Sequence, residues 1–144
     1  MLKISTKGRY GTRLMLNLAR HYQPEKNYAV LKSISAEEDI PLRYLEQIII
    51  PLKLNKLVKS MRGSSGGYIL ARPPSQIRIS EIILAMEGPL TLVECVEDKG
   101  YCSRAPSCAP RKTWAKASQL LFNYFDQLTL ADLVKLETSH HPHK

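Results

Sequence analysis

The sequence predicts a mainly α-helical protein with one small β-hairpin, arranged as a winged helix-turn-helix followed by a long C-terminal helix. Three observations carry this. Apolar residues recur at helical spacing through the first fifty positions, with a break at Asp39-Ile40-Pro41. Two short alternating runs then flank a glycine- and serine-rich turn. Finally, a broad apolar stripe begins after Pro110 and persists for several helical turns.

Taken in order, Ser5 or Thr6 is placed to cap a first helix that runs through Tyr10, Leu14 and Leu18 to His21-Tyr22, where Pro24 stops it. A short helix is expected from Val30 to Glu38, with Ile34 facing inward. After the break, Pro41 suits the first turn of a new helix starting at Leu42. That helix sets Leu45, Ile48, Ile49 and Leu52 on one side and Arg43, Tyr44, Glu46 and Gln47 on the other. Pro51 is expected to kink or end it, because its ring displaces the carbonyl of Gln47 and it has no N–H to donate. The outward residues have the chemistry to touch phosphates and base edges, although a solvated helix face has the same composition.

The next segment separates these two readings. Leu57-Val58-Lys59-Ser60-Met61 alternates like a strand, Arg62-Gly63-Ser64-Ser65-Gly66-Gly67 is a flexible turn, and Tyr68-Ile69-Leu70-Ala71 returns. A helix-turn-helix followed at once by a hairpin with a cationic tip is a winged helix, in which the second helix enters the major groove and the wing reaches the backbone or minor groove. No phosphate-binding glycine pattern of a nucleotide enzyme is present, and this loop joins two strands rather than opening a helix.

Beyond Pro73-Pro74, a helix from Ser80 through Met86 ends at Gly88-Pro89, and a loop carrying all three cysteines follows. Pro110 opens the longest helix of the C-terminal half. Its stripe of Trp114, Ala117, Leu120, Leu121, Tyr124 and Phe125 exceeds what so small a body needs to cover itself, so it reads as a dimerisation helix. Thr129 caps a last short helix. The expected organisation is a DNA-binding domain over residues 1–78, a connecting helix and cysteine loop over 79–109, the dimerisation and terminal helices over 110–137, and a disordered tail over 138–144.

Charge divides the chain unevenly. Residues 1–78 hold fourteen Lys and Arg against five Asp and Glu, whereas residues 79–144 hold seven against eight, within a total net charge of +8. The first half is the part suited to a polyanion. Neither a secretory leader nor a run long and apolar enough to span a bilayer is visible, so the expected location is the cytoplasm, with no membrane partner. His21 and the tail histidines form no constellation with Ser or Asp, so no enzyme is expected.

Cys95, Cys102 and Cys108 lie in a loop rich in turn formers and poor in apolar residues, so packing does not account for them. Their odd number argues against a disulfide framework, and a reducing cytoplasm argues against it again. Clustered thiolates suit a soft metal, either zinc or an iron-sulfur cluster, each usually taking four protein ligands. The gaps of six and five residues are wider than those of zinc knuckles and wrap a larger object more easily. Three free thiols, or one disulfide with a leftover, is the competing reading.

Taken together, Ser5-Thr6-Lys7-Gly8-Arg9-Tyr10, Tyr44-Leu45-Glu46-Gln47, Val58-Lys59-Ser60-Met61-Arg62-Gly63, Gly66-Gly67-Tyr68, the three cysteines and Trp114 resemble the Rrf family of bacterial winged-helix transcription regulators. The resemblance covers nearly the whole chain in order. It implies a homodimer that binds a double-stranded DNA operator, here a repressor, with affinity set by an iron-sulfur cluster, 2Fe-2S or 4Fe-4S. By position, Cys95, Cys102 and Cys108 would be the cluster ligands. DNA contacts would come from Lys7, Arg9 and Tyr10, from Leu42, Arg43, Tyr44, Glu46 and Gln47, and from Lys59, Arg62, Gly63, Ser64 and Ser65. Glu46 and its neighbours would read the major groove, and Arg62 the minor groove. The chain departs from the cluster-binding pattern in three places: Arg111 stands where a histidine is expected, Arg9 where another branch has an acidic ligand, and the first cysteine gap is one residue longer. The fourth ligand is therefore unassigned. Alternatives are a cluster-free regulator acting through its thiols or a small-molecule or protein partner, a zinc-stabilised module, and, from another class, a small iron-sulfur electron carrier that would leave the basic helix-turn-helix and wing without a role.

Overall fold

The computed structural model of the chain describes residues 2–62 and 66–140. Helix α1 spans Thr6–Arg20, and its cap is Ser5, whose hydroxyl accepts from the Gly8 N–H at 3.2 Å. Helix α2 spans Leu31–Glu38 and stops where Asp39 turns left-handed at φ 53°. Ile40, with 1 % of its surface exposed, anchors the turn in the core, and α3 (Leu42–Leu54) follows. Pro51 does not end α3, which continues for three more residues. Leu52 on the far side is fully buried, and its carbonyl receives the Leu57 N–H at 3.0 Å, so packing outweighs the one hydrogen bond the proline removes.

The wing is an antiparallel pair, β1 (Val58–Met61) and β2 (Gly67–Leu70), with Val58 opposite Leu70 and Met61 opposite Gly67. Ala29, just before α2, adds a third segment. Its N–H and C=O each pair with Tyr68 at 2.8 Å, which ties the wing to the helix-turn-helix.

Helix α4 (Ile79–Glu87) ends at Gly88, whose φ of 78° turns the chain into the cysteine segment. That segment is not all loop, since Glu94–Glu97 forms one helical turn, α5. Helix α6 spans Ala109–Gln127 with Pro110 in its first turn, and α7 spans Leu130–His140. Thr129 and Asp132 cap α7 reciprocally, through Thr129 N–H to Asp132 Oδ2 at 2.9 Å and Asp132 N–H to Thr129 Oγ1 at 3.2 Å.

One expectation about the C-terminal end is revised. Residues 138–140 of the expected disordered tail are helical, while 141–144 lie outside the described residues. Helix α7 is joined to the body of the fold. Leu130 is fully buried in the same core as Leu14, Leu45, Ile48, Leu52, Ile77 and Ile82, and α7 packs on α1. Backbone bonds from Ile79 N–H to the Leu128 carbonyl at 2.8 Å and from Leu130 N–H to the Ile77 carbonyl at 3.0 Å clamp the α6–α7 junction against the start of α4. No helix among the described residues is long and apolar enough to cross a membrane.

Candidate nucleic-acid interface and cysteine loop

On α3 the buried residues are Leu45, Ile48, Ile49 and Leu52, so Arg43, Glu46 and Gln47 are left exposed on the opposite side, as the helical period requires. Leu42 is exposed at the start of the helix. Tyr44 is half-buried, and its ring meets that of Tyr10 edge-on, with centroids 5.2 Å apart and planes at 83°. The Arg13 guanidinium lies 5.7 Å from the Tyr10 ring centre. This aromatic pair was not legible as a contact in the sequence, where its members are thirty-four positions apart. It holds the first turns of α1 and α3 side by side.

Lys7 and Arg9 are exposed on that same first part of α1, with Arg9 Nη2 donating to Thr6 Oγ1 at 3.1 Å. The start of α1 is held in turn by Glu87 at the end of α4, which accepts both the Ser5 N–H, at 3.0 Å, and the Ser5 hydroxyl. On the wing, Lys59 projects from β1 opposite Ile69, and Arg62 is exposed just beyond the strand. Gly63, Ser64 and Ser65 lie outside the described residues. Two basic elements, the α1 start and the wing strand, are thus presented by the same fold as the polar outward face of α3.

In the second candidate site, Cys95 sits on α5, Cys102 follows the turn after it, and Cys108 is the residue that caps α6. All three thiols are free and partly exposed. The segment is pinned to α6 at two points. Leu92 N–H donates to Ser118 Oγ at 3.0 Å, while Ser118 Oγ donates to the Trp114 carbonyl at 2.8 Å. Arg111 Nε donates to the Cys95 carbonyl at 2.8 Å, so its guanidinium braces the loop and offers no ligand atom.

In kind, the donors fit a thiolate-bound iron-sulfur cluster. In number they fall one short, and among the described residues no three His, Cys, Asp or Glu side chains are gathered into a metal-holding group.

On α6, Trp114, Leu120, Leu121 and Tyr124 are exposed and Ala117 is half-buried. Phe125 differs from these five. It packs on the protein's own core, because it lies two turns along the face of α6 that carries buried Ser118 and faces the body. A cleft of about 310 Å³ separates Leu121 and Phe125 from Leu2, Ile4 and the Leu90-Thr91-Leu92 segment.

Residues 4–136 match the family model Rrf2, described as an iron-dependent transcriptional regulator. The chain is 39% identical over 132 residues to the HTH-type transcriptional regulator CymR of Bacillus subtilis, covering 92% of this chain and 89% of that one. It is 34% identical over 133 residues to the HTH-type transcriptional regulator IscR of Escherichia coli, covering 92% and 80%. Two solved structures are similar: that of CymR, titled the global cysteine regulator of B. subtilis (TM-score 0.77, 39% identity, covering 94% of this chain and 98% of that one), and that of T. potens IscR (TM-score 0.79, 35% identity, covering 99% and 93%).

Proposed function

Since the chain belongs to the Rrf2 family of iron-dependent transcriptional regulators, and is therefore a DNA-binding regulator and not an enzyme, we propose that it is a homodimeric cytoplasmic repressor whose operator affinity is set by an iron-sulfur cluster held by Cys95, Cys102 and Cys108. The supporting observation is the position of three free, partly exposed thiols on a segment that runs directly into α6.

The roles of the chain's own residues follow. Arg43, Glu46 and Gln47 on α3 face base edges in the major groove, Lys7 and Arg9 bond phosphates, and Arg62 lies in the minor groove beside the wing. Two copies joined through the outward stripe of α6 address two half-sites. A bound cluster supplies a charge and redox state that responds to oxidant or loss of iron. Cys95, Cys102 and Cys108 would hold it, on a stretch of chain that Ser118 and Arg111 tether to α6 through the Leu92 N–H and the Cys95 carbonyl.

Anaerobically prepared protein should be coloured and contain iron and acid-labile sulfide, and Cys102→Ala should lose both. Stoichiometric zinc without sulfide after anaerobic reconstitution would overturn the cluster.

A specific pair of observations favours a second reading, a thiol-based regulator without a cluster. Arg111, bonded to the Cys95 carbonyl, has no atom to offer a metal, and a structure of Staphylococcus aureus CymR in an oxidized form, 33% identical, has the same fold (TM-score 0.71). In this reading one thiolate is oxidised by a peroxide to a sulfenic acid, the peroxide being reduced, and a second thiol then displaces water to form a disulfide. Protein that contains no metal and loses two titratable thiols per chain on peroxide treatment, together with operator binding, would establish it.

A further inference from the structure

The outward stripe of α3 changes character along its length. Positions opposite the buried face, spaced i, i+4, i+7 and i+11, are Arg43, Gln47, Ile50 and Leu54. The first two are hydrogen-bonding side chains. The last two are large aliphatic ones left in solvent, Ile50 being 57% and Leu54 77% exposed. Neither is needed by the core, which α3 reaches through Leu45, Ile48, Ile49 and Leu52.

We propose that Ile50 is a specificity-determining residue that packs against the C5 methyl of a thymine in the major groove. The inference rests on the reading of α3 as the recognition helix. Ile50 extends the stripe begun by Arg43 and Gln47, and the excess of Lys and Arg over Asp and Glu in residues 1–78 suits a polyanion.

The chemistry is selective. Each base pair shows the major groove hydrogen-bond donors and acceptors, and the thymine methyl is the apolar group among them. An aliphatic side chain facing the other base edges covers polar atoms without satisfying them, so it discriminates as well as attracts. The spacing agrees. Three residues of helix rise about 4.5 Å and one step along a DNA strand is about 3.4 Å, so Ile50 falls roughly one base pair beyond the edge that Gln47 addresses. A β-branched side chain in a helix is held largely in one χ1 rotamer, so little freedom is lost on contact.

The test uses the full-length protein and a duplex enriched from a random-sequence pool. Each thymine is replaced in turn by deoxyuracil, which removes the methyl and leaves base pairing intact, and the wild type is compared with Ile50→Ala. One thymine per half-site should respond, its replacement weakening the wild type by about fourfold, the worth of one buried methyl group. Ile50→Ala should bind the parent duplex more weakly and be indifferent to that replacement. Because Ile50 is exposed, the variant keeps the core intact, which an unchanged melting temperature verifies. If no single replacement changes wild-type affinity by more than about twofold, or if Ile50→Ala keeps the wild-type sensitivity, the proposal is overturned while DNA binding stands. A pool that yields no enriched duplex overturns the recognition-helix reading and this proposal with it.

Discussion

Among the described residues Glu38 is the one charged side chain buried in the fold, and its surroundings decide its protonation. Burial pushes its carboxyl up. The hydrogen bonds from Asn17 at 2.9 Å and Arg20 at 2.6 Å, together with the charges of Arg20 and Arg13, outweigh that and hold it below the usual carboxylate range. The sequence concealed this, because Glu37-Glu38 reads as a solvated helix end and the partners lie far upstream on α1. With the folded value below the unfolded one, the contribution to stability is complete above the unfolded value and is lost as pH falls through the folded one. Glu38→Gln should therefore cost about 1–3 kcal/mol in urea unfolding at pH 7, and the gap to wild type should narrow in strong acid. On the proposed DNA face, two residues of opposite charge should behave differently. Arg62→Ala should weaken operator binding by about 1–3 kcal/mol per site and reduce the salt slope by about one charge per protomer. Glu46→Ala removes an acceptor for cytosine and a repulsion toward phosphate, so it should relax discrimination while non-specific affinity holds or rises. Titrations against cognate and scrambled duplexes at several salt concentrations check both, and a parallel loss on both duplexes for Glu46→Ala would misplace α3.

At the scale of elements, what could be read from sequence was what depends on local pattern. The 3.6-residue period of Leu45, Ile48, Ile49 and Leu52 set the buried face of α3, and the strand read at Val58-Lys59-Ser60-Met61 is β1, although its burial does not alternate: Val58 is buried and the next three residues are exposed. What could not be read depends on neighbours distant in sequence. Pro51 stays within α3 because the core holds Leu52, and the α5 turn exists within a stretch that composition marks as loop. The wing illustrates the same point. Gly66-Gly67 reads as turn flexibility, yet Gly67 is a strand residue, and a side chain there would place its Cβ 2.6 Å from the Ala29 carbonyl oxygen. That oxygen belongs to backbone paired with Tyr68, so it cannot move without opening the bridge between the wing and the start of α2. Gly67→Ala should cost about 1–3 kcal/mol and increase amide exchange at Ala29 and Tyr68, with the core helices unaffected. Equal protection at both amides in variant and wild type would show that the close approach is tolerated.

For the whole molecule the question is how the basic N-terminal part and the cysteine segment act as one unit. They share a core in which α1 packs on α4, and Glu87, next to the Gly88 turn that opens the cysteine segment, holds the start of α1 through Ser5. The same contact ties the end of α4, from which the chain leads into the cysteine segment, to the start of α1, which carries Lys7 and Arg9. What lies outside this core is the stripe of Trp114, Leu120, Leu121 and Tyr124 on α6, four large exposed apolar side chains on one helix. Leaving them in water is unfavourable by about 25 cal/mol for each Å² of apolar surface, which is the drive for a second copy to cover them. Leu121→Glu is a direct test, because at 41% exposure the carboxylate reaches solvent in a single chain but would be buried without a partner in a dimer. The variant should keep the helical spectrum of the wild type, sediment as a monomer at micromolar concentration where the wild type is a dimer, and bind a two-half-site operator about 100-fold more weakly, since the second half-site is no longer tethered to the first. Affinity for an isolated half-site should not change. A wild type that is itself monomeric at that concentration would assign the stripe to another partner, and with it the link from the cysteine segment through α6 to paired half-sites would be lost.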